Sequence, residues 1–157
     1  MIQVGTLLAT RYFEEVMAMT DSHSPASKKT IMVVDDTKEI VTLLKLILET
    51  EGFLVQSAYR GKEVFKLLEE QKPDLIILDV MMPQMDGLEV LTRLKENPDT
   101  ASIPVILLTV KTQHEDILTG YKKGADYYLT KPLTAPQLLT GINSLLSRGQ
   151  GDSVERP

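Results

Sequence analysis

From residue 30 to residue 146 the chain alternates short apolar runs, rich in Val, Ile and Leu, with longer stretches in which apolar residues return every three or four positions. The short runs have the length and β-branched content of strands, and the longer stretches carry the period of helices that bury one face. Strands are predicted over 30–35, 53–58, 74–79, 103–109 and 125–130. In all but the second, the apolar residues read as continuous, the pattern of a strand covered on both faces.

The stretches between them carry helix punctuation. Asp36-Thr37-Lys38-Glu39 has the form of a capping box, opening a helix with Ile40, Leu43, Leu44 and Ile47 as its apolar stripe and Gly52 just past its end. A second helix is predicted over 61–71, with Val64, Leu67 and Leu68 inward. Asp86-Gly87-Leu88-Glu89 repeats the box before a third helix, which must stop near Asn97 because Pro98 cannot continue it. A fourth, more polar helix is expected over 112–123. Before the fifth, Leu133 and Leu138 form a staple around a Thr134 cap with Gln137 three residues on, and Leu138, Leu139, Ile142, Leu145 and Leu146 make the buried stripe. Five strand–helix units in series predict right-handed crossovers and an open, doubly wound α/β sheet of five parallel strands.

Two ends stand outside this pattern. Over residues 1–28, Leu8, Tyr12, Val16 and Met19 sit at helical spacing and are followed by a polar, linker-like stretch. Four positions are a short periodic signal, so the plainer expectation is an extension without a packing role, or an upstream start with Met17 or Met19 opening the natural chain. The alternative is a helix that docks on the domain or on a partner. Residues 149–157 read as a tail or the start of a linker.

Composition narrows the classes. The chain has 157 residues, 43% of them hydrophobic, enough for one domain with an ordinary core. It has no Cys, which removes disulfides, thiolate metal sites and cysteine nucleophiles. A formal net charge of -5 without a Lys/Arg cluster argues against direct nucleic-acid binding or a polybasic membrane patch. No apolar run could span a bilayer and the N-terminus lacks the marks of a signal peptide, so a cytoplasmic protein without membrane insertion is expected.

In an open parallel sheet, ligands bind beyond the carboxyl ends of the strands. Asp35 and Asp36 close the first predicted strand, Asp79 the third and Thr109 the fourth, while Lys131 follows the fifth. If the first, third and fourth strands are neighbours, three carboxylates, a hydroxyl and an ammonium converge. Clustered carboxylates stay ionised only beside a cation, and an all-oxygen set suits Mg²⁺ better than a transition metal. His23 and His114 lie in the linker and on the polar helix, where both read as solvated side chains. With Mg²⁺ in place, one carboxylate could attack phosphorus to give an aspartyl phosphate, with Lys131 and Thr109 on its equatorial oxygens.

Four ordered motifs share these positions: Val33-Val34-Asp35-Asp36, then Leu78-Asp79-Val80-Met81-Met82-Pro83-Gln84-Met85-Asp86-Gly87, then Leu107-Leu108-Thr109, then Gly124-Ala125-Asp126-Tyr127-Tyr128-Leu129-Thr130-Lys131-Pro132. Together they resemble the response-regulator receiver domain of two-component signalling, over residues 29–148. The resemblance implies a flavodoxin-like (βα)5 fold with strand order 2-1-3-4-5. It makes Asp79 the phosphoacceptor, with Asp36, Asp79 and the Met81 backbone carbonyl as Mg²⁺ ligands and Asp35 holding a metal-bound water. Lys131 becomes the phosphoryl-binding lysine ahead of a cis Lys131-Pro132 bond, Thr109 the switch hydroxyl and Tyr128 the aromatic switch. After the switch Thr the family commonly has a small residue, and here stands the β-branched Val110, which bears on access to the site and on dephosphorylation.

The implied function is a phosphorylation-controlled signalling domain rather than an enzyme with turnover. Its donor would be a histidine kinase or phosphotransfer protein. Its output would be a partner bound on the face of the fourth helix, fifth strand and fifth helix, with a phosphorylation-dependent homodimer as a further form. A stand-alone regulator and a fragment of a larger regulator or hybrid kinase look alike from inside the domain. An aspartyl-phosphate phosphatase on a similar sheet is the competing reading, but the Asp-x-Asp nucleophile pair of the haloacid dehalogenase type is missing, since Val80 and Met81 follow Asp79. A flavin or nucleotide binder lacks its Gly-rich loop, and a scaffold that is never phosphorylated would not need all five site positions.

Overall fold

The computed structural model describes Arg11, residues 28–110 and residues 114–148. The expectations for residues 1–28 and 149–157 therefore lie outside the described residues, Arg11 and Lys28 apart. Strands β1 (Thr30–Val34), β2 (Leu54–Ala58), β3 (Leu75–Asp79), β4 (Val105–Val110) and β5 (Tyr127–Lys131) alternate with helices α1 (Lys38–Thr50), α2 (Gly61–Glu70), α3 (Gly87–Glu96), α4 (His114–Lys122) and α5 (Ala135–Arg148). All strand pairs are parallel and the order is β2-β1-β3-β4-β5, as the resemblance implied.

The sheet is covered on both sides because its strands carry apolar residues at successive positions. Met32, Val34, Ile76, Leu78 and Leu107 face α2 and α3, packing with Val64, Val90, Leu91 and Leu94. Ile31, Val33, Ile77, Ile106 and Leu108 face α1 and α5, packing with Val41, Leu44, Leu138, Ile142 and Leu145. Each such side chain withdrawn from water contributes about 1.5–3 kcal/mol before the entropy of ordering is set against it.

Several boundaries and faces differ from expectation, each for a local reason. The fourth strand starts at Val105 and not at Ile103, because Pro104 has no N–H to give a ladder and the Ile103 amide turns back to the Thr100 carbonyl. The fifth starts at Tyr127, since Gly124, at φ +101°, and Ala125, whose amide returns to the Gly120 carbonyl, end the preceding helix; Lys131 falls inside the strand. That strand is incompletely buried: it is a sheet edge, only Leu129 in it is buried, and Tyr128 is exposed. On α1, Leu43 points to solvent and the buried stripe is Val41, Leu44 and Leu48, with Ile40 and Ile47 half-buried.

The three capping boxes also diverge. At α5 the box is complete: Thr134 Oγ1 accepts from the Gln137 amide and Gln137 Oε1 accepts from the Thr134 amide. At α3 it is half-formed, for Asp86 accepts from the Glu89 amide at 2.8 Å while Glu89 turns to Arg93. At α1 there is no box; the cap position is Thr37, whose side chain makes no capping bond.

Candidate functional site

At β1 the chain order reverses, β2 lying on one side and β3 on the other, and a crevice opens above the carboxyl ends of β1 and β3. Register then decides what gathers there. Val34 is paired with Leu78, so the next residues on each strand, Asp35 and Asp79, lie side by side. Asp79 is paired with Leu108, which places Thr109 just beyond it, and Val110 is paired with Lys131.

The ionic geometry is tight. Lys131 Nζ donates to Asp35 Oδ2 at 2.8 Å and lies 3.3 Å from Asp79 Oδ1. Asp35 is fully buried and its other oxygen, Oδ1, accepts from the Thr37 amide at 3.0 Å, so both of its oxygens are engaged. Asp79 is 4% exposed and accepts from the Met81 amide at 3.3 Å. Asp36 is exposed at the rim. One carboxylate oxygen from each of Asp35, Asp36 and Asp79 lies within 4.8 Å of the others.

Two opposed effects act on Asp79. Burial and the neighbouring Asp35 charge raise its pKa from 3.8 to about 6, and Lys131 and the Met81 amide offset only part of this. For Lys131, burial pulls the pKa down, but the hydrogen bond to Asp35 and the charges of Asp79 and Asp35 outweigh it and the net shift is upward. Three carboxylates against one ammonium leave an excess of negative charge that a divalent cation would neutralise. The donor set, all oxygen and mostly carboxylate, fits Mg²⁺.

Asp35, Asp36, Asp79 and Lys131 meet at this crevice and Thr109 and Val110 end β4 beside it, whereas Tyr128 is level with Leu107, further down the sheet. Thr109 is buried, and its hydroxyl donates a long hydrogen bond, 3.5 Å, to the Val110 carbonyl. Val110 is 40% exposed at the end of β4. Tyr128 lies on β5, three residues before Lys131, with its ring partly in solvent. The Lys131-Pro132 bond is cis, as expected. Sequence reasoning missed Tyr121 of α4, which stacks edge-on against Tyr128. No spacing or motif marks it, since the contact joins a helix to a strand that follows it. It also missed the Thr37 amide, which orients Asp35.

A second cavity, of about 360 Å³, opens at the other edge of the sheet, beside Lys29, Asp74, Asp126 and Arg148. Its carboxylates are already in use. Asp74 accepts from the Thr30 amide, and Asp126 from the Val105 amide and Lys95. Among the described residues, the three acidic side chains close enough to share a cation are Asp35, Asp36 and Asp79 at the carboxyl edge.

A family model described as response regulator receiver domain matches residues 31–143. The alkaline phosphatase synthesis transcriptional regulatory protein PhoP of Bacillus subtilis is 41% identical over 122 residues, which cover 78% of this chain and 50% of that protein. The phosphate regulon transcriptional regulatory protein PhoB of Rhizobium meliloti is 38% identical over 120 residues, 76% of this chain and 53% of that one. The chain thus spans about half the length of the curated relatives it matches. Among solved structures, the receiver domain of a signal transduction histidine kinase from Syntrophus aciditrophicus is similar with a TM-score of 0.74 at 36% identity, covering 82% of this chain and 98% of that one. Chemotaxis protein CheY4 of Vibrio cholerae gives 0.72 at 28% identity, covering 76% and 99%.

Proposed function

The chain belongs to the response regulator receiver domain family, a family of signalling domains, and on that premise we propose that Asp79 is the carboxylate that accepts the phosphoryl group. The observation that carries the reading is the position of Asp79. It ends the central strand β3, nearly buried, with Lys131 Nζ at 3.3 Å and the oxygens of Asp35 and Asp36 within 4.8 Å.

A carboxylate oxygen of Asp79 attacks phosphorus, and the new O–P bond forms as the P–N bond to a phosphohistidine donor protonated on its other ring nitrogen breaks, its electron pair leaving with neutral imidazole. Lys131 stays protonated and stabilises the charge on the equatorial oxygens, while the Thr109 hydroxyl turns from the Val110 carbonyl to donate to one of them. Asp36, Asp79 and the Met81 carbonyl would hold Mg²⁺, and Asp35, whose oxygens are engaged by Lys131 and Thr37, would act through water. When bound, the metal supplies charge neutralisation between donor and acceptor anions. Val110 stands at the mouth of the site, where its branched side chain narrows the approach of a hydrolytic water and prolongs the aspartyl phosphate.

Residues 29–148 form the receiver unit in this reading, with 1–28 an extension and 149–157 a tail. The donor is a histidine kinase or phosphotransfer protein in the cytoplasm. Thr109 and Tyr128 carry the modification to the α4-β5-α5 face, where an output partner or a second receiver docks; the exposed Leu118, Tyr121 and Tyr128 support an apolar contact there. The test is labelling by acetyl phosphate or phosphoramidate with Mg²⁺. One phosphate per chain, mapped to Asp79 and lost in Asp79→Asn, is expected. Undiminished labelling of that variant would sink the assignment.

A further inference from the structure

We infer that Tyr121 of α4 is a positioning residue that holds the Tyr128 ring outward, so that turning this ring inward and displacing α4 are a single event. The inference rests on the reading of Tyr128 as the aromatic switch. It is carried by two pairs of residues that meet face to face. In the sheet, Leu107 of β4 is paired with Tyr128 of β5. Paired residues share a face, so both side chains rise toward α4, and Leu107 is buried there. On the helix, Gly120 is followed directly by Tyr121. A Cβ on Gly120 would overlap Leu107 Cδ1, so the helix rests on the strand at this point through its glycine.

That close approach brings Tyr121, which follows Gly120, against Tyr128, the cross-strand partner of Leu107. The Tyr121 and Tyr128 ring centroids are 5.4 Å apart with their planes at 87°, the edge-to-face arrangement in which the positive edge of one ring meets the negative face of the other. Tyr121 is 47% exposed and Tyr128 37%, so burial fixes neither ring and their mutual contact sets the orientation. An inward turn of Tyr128 toward Thr109 forfeits this contact. A shift of α4 away from Leu107 forfeits it too, and releases the ring. Both rings also line a groove of about 340 Å³ with Thr130 and Gln137, whose shape therefore changes when the pair separates.

The experiment measures the χ1 populations of Tyr128 in the full chain, from three-bond couplings of the ring Cγ to backbone nitrogen and carbonyl carbon. Wild type, Tyr121→Leu and Tyr121→Phe are compared without a phosphate donor. Tyr121→Leu should raise the inward-to-outward ratio by about two- to tenfold, the weight of one aromatic pair, while Tyr121→Phe, which keeps the ring, should match wild type. An unchanged ratio in Tyr121→Leu, or a Phe variant that behaves as the Leu variant, overturns the positioning role. Wild type with Mg²⁺ and beryllofluoride tests the underlying reading separately. If its Tyr128 populations do not move, Tyr128 is not the switch, and the Tyr121→Leu populations still decide whether Tyr121 positions the ring.

Discussion

At the scale of single residues, the site holds its charges at a cost to the fold. Asp79 has a pKa of about 6 in the folded chain against an ordinary 3.8, chiefly from burial and then from Asp35. The folded state therefore binds the proton more tightly, and stability falls as pH rises through roughly 4 to 6, with the full penalty present above that window. Without divalent cation, Asp79→Asn should stabilise the protein at pH 7.5 by on the order of 2 kcal/mol, an advantage that fades toward pH 4. Urea midpoints of both proteins across that range check it, and a variant less stable than wild type at neutral pH contradicts the sign. A second residue is strained through its backbone. Gln84 sits at φ +70°, where a Cβ is disfavoured, so Gln84→Gly should stabilise the β3–α3 loop by about 0.5–1 kcal/mol. Thermal denaturation of the two proteins measures it.

At the scale of elements, what could be read from the sequence depended on whether a residue served one demand or two. Thr134 and Gln137 have only a helix to cap, and their box formed in full. Asp36 and Glu39 lie at the same kind of boundary, but α1 starts one residue later, with Thr37 at the cap position and its amide held by Asp35 of the site, so the expected box did not form. Leu43 shows the limit of periodicity: it matches the stripe at three-residue spacing, yet the helix turns Val41, Leu44 and Leu48 to the sheet. The fifth strand reads as apolar because Tyr127, Tyr128 and Leu129 are, although its edge position leaves one side to solvent. Glycine at 87 was legible only as a backbone need. Its reason is the contact of α3 with β3, where a Cβ would overlap the Asp79 carbonyl. Gly87→Ala should therefore cost about 1–3 kcal/mol by overpacking and also displace Asp79. Chemical denaturation and the rate of labelling should both worsen, and a loss confined to stability would show that the loop relaxes without moving the acceptor.

At the scale of the whole molecule, the members of the site were readable because each closes a strand, and a parallel sheet delivers strand ends to one edge. Their distances were not, because register joins residues far apart in the chain. A cation that binds the assembled cluster and not the unfolded chain must stabilise the fold by mass action, about 2.7 kcal/mol at a hundredfold excess over its Kd. Mg²⁺ should raise the thermal midpoint of wild type and raise that of Asp79→Asn less, and the chelator EDTA should reverse both. Equal shifts in the two proteins would place the cation elsewhere.

The ion pair between Lys131 and Asp35 joins residues separated by 96 positions. It closes a loop that contains three of the five strands in full and most of the helices. On a ribosome, Asp35 and Asp79 are synthesised seconds before Lys131, so a nascent chain holds these carboxylates before it holds the ammonium that balances them. Such long-range closure comes late in folding, after the local units it spans. With Asp79 as the proposed acceptor, phosphate uptake is thereby tied to completion of the last strand, which supplies Lys131.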